Sequence, residues 1–395
     1  MGKRLSSILL AALLLAGLLP RPAAAQEPQF TPNVSYEFGQ VIRFELTLEN
    51  APPADTLILF FRPEGSENTY TDEVALPPGG RFSVAHEIDL TQLRLAPFTE
   101  ITYWWLLATV DEDIFSPTYT FFYEDDQFEW QTLAEEPVTV HWTGTDAAVA
   151  QVALDVVKET LVTVRPFLPD VGSHPLRVYL YPTAADLRAA LRLTGRDWVG
   201  GHASPELGVI LVTAVNSRTA AADLRRSIPH ELVHVLLYQA VGPAAMKQVP
   251  AWFNEGLATM VEENPNPNYQ VVLETAVDNH TTIPLLELCQ SFPSDEAEAV
   301  LAYAQSASFV SYLQSRFGNQ ALGQIILAHK DGADCEAGVA RELQISLRDL
   351  NEAWLADLEP PTPLAYFFDV SGFWLLLLLA GFGITGLLIL KPSRG

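Results

Sequence analysis

Among the eight histidines of this chain, two stand four residues apart in the run His230-Glu231-Leu232-Val233-His234. On a helix, residues i and i+4 project from one face a turn apart, so these two imidazoles can grip a single metal ion. Glu231 is rotated to the flank, where its carboxylate reaches a water beside such an ion rather than the ion itself. Val233, Leu236 and Leu237 supply an apolar back that seats the helix in a core. Ser227 and Pro229 read as its start, and Gly242 as its stop. A tetrahedral site with one open position needs a third protein ligand. The run Pro250-Ala251-Trp252-Phe253-Asn254-Glu255-Gly256-Leu257-Ala258 reads as the start of a second helix, with Glu255 pointing back at the metal. Gly256 and Ala258 are small enough to let the two helices pack closely.

The pair HELVH and WFNEGLA resembles the glutamate-zincins, the thermolysin-like superfamily. More narrowly it is similar to the peptidase-MA-like domains of bacterial secreted and membrane-anchored proteins. The resemblance covers roughly Trp130 to Leu358. It implies one zinc ion held by His230, His234 and Glu255, with Glu231 as general base, in an α+β zincin-like domain. It also implies peptide-bond hydrolysis, in which Glu231 takes a proton from the attacking water and passes it to the leaving amine. One departure stands out. Thermolysin itself carries an aspartate four residues after the glutamate ligand, which orients a zinc-binding histidine; here that position is Thr259. Asn254 is a polar substitute beside the ligand. That departure keeps a second class of function open: a non-catalytic cell-surface binding module on the same scaffold.

The oxyanion of such a reaction needs a second donor besides the metal. Tyr303, on a helix from Ala299 to Arg316, is the candidate, although a tyrosine packed on a helix face reads the same way. His202 is a weaker candidate, in the loop before the run Gly208 to Thr213. That run resembles the edge strand on which zincins lay an extended substrate by main-chain pairing; it equally fits an ordinary core strand. His86, His141, His174, His280 and His329 are scattered and read as surface or packing residues.

The elements that position these groups are legible by period. Val138 to Trp142 and Leu176 to Tyr181 read as strands. Thr145 or Asp146 caps a helix running to about Val164, and Ala184 to Leu193 reads as another helix. From Ala220 the chain is mostly helical to Leu358. Ahead of this lies a different texture. Ile42, Phe44, Leu46 and Leu48 alternate with Arg43, Glu45, Thr47 and Glu49, the period of a strand with one wet face. Further runs at 56–61, 82–88, 101–108 and 118–123 are separated by Pro- and Gly-rich turns. Short strands at this spacing predict an all-β immunoglobulin-like sandwich, which offers no catalytic constellation and could serve a protein partner.

The ends read as export signals. Lys3 and Arg4, the apolar run Ile8 to Leu19 and the small residues Ala23-Ala24-Ala25 form a signal peptide with Gln26 as the first mature residue. Phe373 to Leu390 is uncharged and long enough to cross a bilayer, and Lys391 and Arg394 behind it put the tail in the cytoplasm. The expected organisation is a signal peptide at 1–25, the sandwich at 26–126 and the peptidase-like domain at 127–358. A Pro-rich linker at 359–369, a transmembrane helix at 370–390 and a tail at 391–395 complete it. This places the ectodomain outside a cell membrane, facing peptide or protein substrates. The formal charge of −25 repels phosphates, so nucleic acid is excluded as a partner. Cys289 and Cys335 are too few and too far apart for a cysteine metal site; in an exported chain they could form one disulfide or stay apart.

Overall fold

The computed structural model describes residues 27–93, 95–168, 174–191, 201–214 and 220–359. The expected signal peptide and transmembrane helix lie outside these residues. Among the described residues, no helix is long and apolar enough to cross a membrane. The chain divides into two compact units, the first ending at Phe128 apart from Ala190 and Leu191, the second beginning at Glu129.

The first unit is built from β1 (Gln29–Glu37), β2 (Val41–Glu49), β3 (Ala54–Pro63), β4 (Tyr70–Val74), β5 (Phe82–Asp89), β6 (Thr99–Thr109), β7 (Asp113–Phe115) and β8 (Tyr119–Tyr123). One sheet runs β1-β2-β5; the other runs β4-β3-β6, with β7 and β8 both paired to β6. All these pairings are antiparallel. The alternation in β2 does what it predicts: Ile42, Phe44, Leu46 and Leu48 are buried and the residues between them are not. The Phe44 ring meets Phe61 at 5.6 Å and Tyr103 at 5.1 Å, both on the other sheet, so the two apolar faces close on each other. β7 and β8 are one strand broken at Ser116-Pro117, where proline cannot donate to the ladder. There the Trp105 N–H turns instead to the Ser116 hydroxyl.

The second unit carries strands β9 (Gln131–Glu135), β10 (Val138–Trp142), β11 (Leu176–Tyr181), β12 (Gly201–Ser204) and β13 (Val209–Thr213). Its helices are α1 (Ala148–Val164), α2 (Ala184–Leu191), α3 (Ala220–Val241), α4 (Pro243–Met246), α5 (Ala251–Met260), α6 (Asn268–Asp278), α7 (Glu296–Lys330), α8 (Cys335–Leu343) and α9 (Leu347–Leu358). The sheet order is β12-β13-β11-β10-β9, parallel at its centre and antiparallel at both edges. Val140, Val178 and Ile210 of the central strands share one buried cluster with Ala153 and Val157 of α1 and Leu232 and Val233 of α3. This fixes α3 against the sheet. α1 starts just after the expected caps, and Asp146 accepts the Ala148 N–H.

The structure decides one open alternative and departs from two expectations. The run 208–213 is not an edge: β13 lies between β11 and β12, which is why all of Val209 to Val212 is buried, and the edge is β12. Gly256 does not serve the packing of the two ligand helices on each other. A Cβ there would stand 2.6 Å from the Ser306 carbonyl oxygen and from Val310 Cγ2, so it admits α7 instead. The HELVH helix begins at Ala220 rather than near Ser227, and Pro229 is interior. A proline inside a helix strands the carbonyl four residues back. Here that carbonyl, of Arg225, accepts the Glu263 N–H at 3.2 Å from the chain leaving α5, and the helix passes through.

Cys289 and Cys335 are joined in a disulfide. The Ala251 N–H donates to the Cys289 carbonyl and the Trp252 indole N–H to the Cys335 sulfur, so both half-cystines touch the first turn of α5. α7 turns sharply at Gly318, whose φ of 83° suits glycine.

Candidate metal centre

Helix α3 presents His230 and His234 with ring centroids 5.0 Å apart, and α5 brings Glu255 opposite them. Glu255 Oε2 lies 3.5 Å from His230 Nε2 and 3.6 Å from His234 Nε2. One donor atom from each of the three falls within 4.8 Å of the others, and this is the one such group among the described residues. Two donors on a tetrahedral zinc stand about 3.3 Å apart, given bonds of about 2.0–2.1 Å. The observed separations therefore fit three protein ligands around one ion.

Both imidazoles are held from behind. His230 Nδ1–H donates to Glu262 Oε1 at 2.8 Å, and His234 Nδ1–H to Asn254 Oδ1 at 2.9 Å. With Nδ1 engaged behind, each ring turns its Nε2 toward Glu255, the orientation a metal ligand requires once Nε2 is deprotonated. Asn254 thus does what the sequence suggested for it. Glu262 is the residue sequence reasoning missed. The position expected to orient a histidine, Thr259, is buried with its hydroxyl unbonded. Glu262 lies past Met260, where α5 ends, so no helical spacing pointed to it.

The charge of the site asks for a cation. Burial by itself would lower the pKa of His230, but the carboxylates of Glu255 and Glu262 outweigh it and hold the ring at about 10. Burial lifts Glu231 above the ordinary carboxylate range; Glu255 and Glu262 add to this, and the two histidines oppose it. Three carboxylates around two imidazoles leave a negative excess that a bound dication neutralises.

Around this centre, edge strand β12 passes close to Glu231. A Cβ on Gly201 would stand 2.9 Å from Glu231 Oε1, so only glycine brings the strand's backbone so near the carboxylate. His202 is the next residue on that edge, opposite Leu211 of β13. Tyr303, on α7, has its ring 6.2 Å from that of His230 and edge-on to Phe292 at 4.9 Å. The tyrosine is thus both packed and beside the site. Of the remaining histidines, His141 is stacked on Tyr179 and His329 is fully buried, and neither belongs to the group of converging donors.

The sequence profile of the Peptidase MA superfamily matches residues 148–359, more than half of the chain. The chain belongs to the Peptidase MA superfamily. The matched stretch holds the three converging donors, Glu231 and both orienting residues. No curated protein matches the sequence. Among solved structures, the M1 zinc metallopeptidase from Deinococcus radiodurans aligns over 87% of this chain and 97% of its own, at 14% identity and a TM-score of 0.40. A mutant two-domain M1 zinc metallopeptidase bound to L-arginine aligns over 85% and 96%, at 14% identity and a TM-score of 0.39. An aminopeptidase N family protein from Idiomarina loihiensis aligns over 82% and 70%, at 10% identity and a TM-score of 0.33.

Proposed function

We propose that this Peptidase MA protein is a zinc-dependent hydrolase of peptide bonds. The observation that carries the reading is the convergence of His230 Nε2, His234 Nε2 and Glu255 Oε2, with each histidine's other nitrogen already bonded. His230, His234 and Glu255 would hold the ion. Bound zinc would supply Lewis acidity, lowering the pKa of a coordinated water from about 15.7 to about 7 and polarising a carbonyl.

The chain's own residues would do the rest. Glu231, buried and raised in pKa, takes the proton of the attacking water at its carboxylate and delivers it to the leaving amine. An extended substrate pairs along β12, the sheet edge beside that carboxylate. The Tyr303 hydroxyl donates to the developing oxyanion. The departure at Thr259 kept a binding-only module open; Glu262 supplies His230 with the carboxylate partner that Thr259 does not.

The first unit fits an immunoglobulin-like sandwich. Strands 1, 2 and 5 face strands 4, 3, 6 and the broken seventh and eighth, as in sandwiches of that class. We take it as the recognition or spacing domain, at 26–126, ahead of the catalytic domain at 127–358. We retain the signal peptide and the C-terminal anchor in this reading, with the ectodomain outside the cell.

Full-length protein purified in detergent tests the assignment. Wild type and Glu231→Gln should each carry one zinc per chain, and only wild type should turn over a broad peptide library. Zinc in both with turnover in neither would leave a binding module; no zinc in either would end both readings. Amino-terminal sequencing of the membrane-associated protein should begin at Gln26.

A further inference from the structure

We propose that Pro229 is a positioning residue for the metal centre: it vacates the Arg225 carbonyl, the Glu263 N–H docks there, and this docking holds Glu262 against His230. The inference rests on the metal reading above and adds a residue that could touch neither metal nor substrate.

In an unbroken helix the Arg225 carbonyl would accept the N–H of residue 229. Proline has none, and its ring pushes the carbonyl four residues back off the helix axis. The Arg225 oxygen is therefore presented sideways, toward the chain that leaves α5 after Met260. That chain attaches to α3 at three points within two residues. The Glu263 N–H reaches the Arg225 oxygen at 3.2 Å. The Glu263 carboxylate reaches Arg225 Nη1 at 2.7 Å, and Arg225 is braced from α1 by Glu159 at 2.6 Å. The Glu262 carboxylate reaches His230 Nδ1 at 2.8 Å. Of these, the first two fix where residue 262 sits, and the third is the contact that sets the His230 ring. An alanine at 229 would close the ordinary helical bond, turn the Arg225 carbonyl back along the axis and leave the Glu263 N–H without its acceptor.

Proline is the least favourable residue in a helix interior, so its replacement by alanine ordinarily stabilises. Here it should stabilise the fold or leave it unchanged while loosening the site. The test compares full-length wild type, Pro229→Ala, Glu262→Ala and the double variant. Zinc affinity is read by chelator competition, the thermal midpoint by calorimetry, and amide exchange at Glu263 in the metal-free protein by mass spectrometry. Pro229→Ala should exchange faster at Glu263, keep or raise the thermal midpoint, and lose about tenfold or more in zinc affinity. In the Glu262→Ala background it should cost no further affinity, because it acts through that residue. Wild-type zinc affinity in Pro229→Ala, an equal loss in both backgrounds, or a loss that tracks a falling midpoint would each overturn the proposal. A wild type that binds no zinc ends the metal reading and this inference with it. That outcome is told apart from a failure of the docking alone, which the metal-free exchange at Glu263 shows by itself.

Discussion

At the scale of single residues, the two imidazoles are steered by acceptors of unequal strength. Glu262 offers His230 a carboxylate, and a charge-assisted bond of this kind is worth roughly twice a neutral one. Asn254 offers His234 a neutral amide oxygen. Glu262→Ala should therefore weaken zinc binding by about 10–100-fold, and Asn254→Ala by less. Chelator competition on the two variants measures this; equal losses, or none, would contradict the ranking. The ligands themselves were legible because i and i+4 spacing on a helix places two side chains together whatever the rest of the chain does. Glu262 was not, because its value depends on the chain turning back against α3 after α5 has ended, which no local spacing records.

At the scale of elements, α5 is held at two places by groups far apart in sequence. Gly256 lets it close on α7, and Gly256→Ala would set a methyl 2.6 Å from the Ser306 carbonyl oxygen and Val310 Cγ2. We expect a loss of about 1–3 kcal/mol, seen as a lower denaturant midpoint. Its first turn is held by the disulfide pair through the Cys289 carbonyl and Cys335 sulfur. That bridge closes a loop of 46 residues. Replacing both cysteines by alanine should cost about 4 kcal/mol by the loop-entropy estimate, and an unchanged midpoint would show that the bridge constrains nothing. The pairing could not be read from the sequence, since bridging depends on two Cα atoms meeting at 5.9 Å. The same holds for the edge strand: strand order is a tertiary property, and the apolar run at 209–213 reads identically whether it lies inside a sheet or on its rim.

At the scale of the whole molecule, one buried and one partly buried histidine set an acid limit. His329 is fully buried, with Nδ1 bonded to the Ala333 carbonyl and no hydrogen-bond partner at Nε2, and burial lowers its pKa. His141, stacked on Tyr179, is lowered to about 4 by burial and then by Arg177. In the unfolded chain both titrate near about 6.5. The folded form therefore keeps them neutral while the unfolded form takes up protons, so stability rises with pH across this window. It is fully present above about 6.5 and is lost as pH falls toward 4. Urea midpoints of wild type and His141→Gln, compared from pH 7.5 to 4.5, should show wild type losing stability relative to the variant as the pH drops. A constant difference would contradict the assignment.

What the sequence determined by itself is whatever rests on local periodicity: the donor pair on α3, Glu255 and Asn254 on α5, the alternating strands ahead of them, and the α+β order of the second unit. These follow from the geometry of one helix or one strand, which a short run of residues specifies. The tertiary structure decided what depends on distant segments meeting. Glu262 orients His230, α7 fills the space Gly256 leaves, β12 rather than β13 forms the edge, and Cys289 finds Cys335. Pro229 shows the difference in one residue. Read locally it starts a helix, as prolines commonly do. In the fold it sits mid-helix, because the carbonyl it strands is satisfied by an N–H 38 residues away.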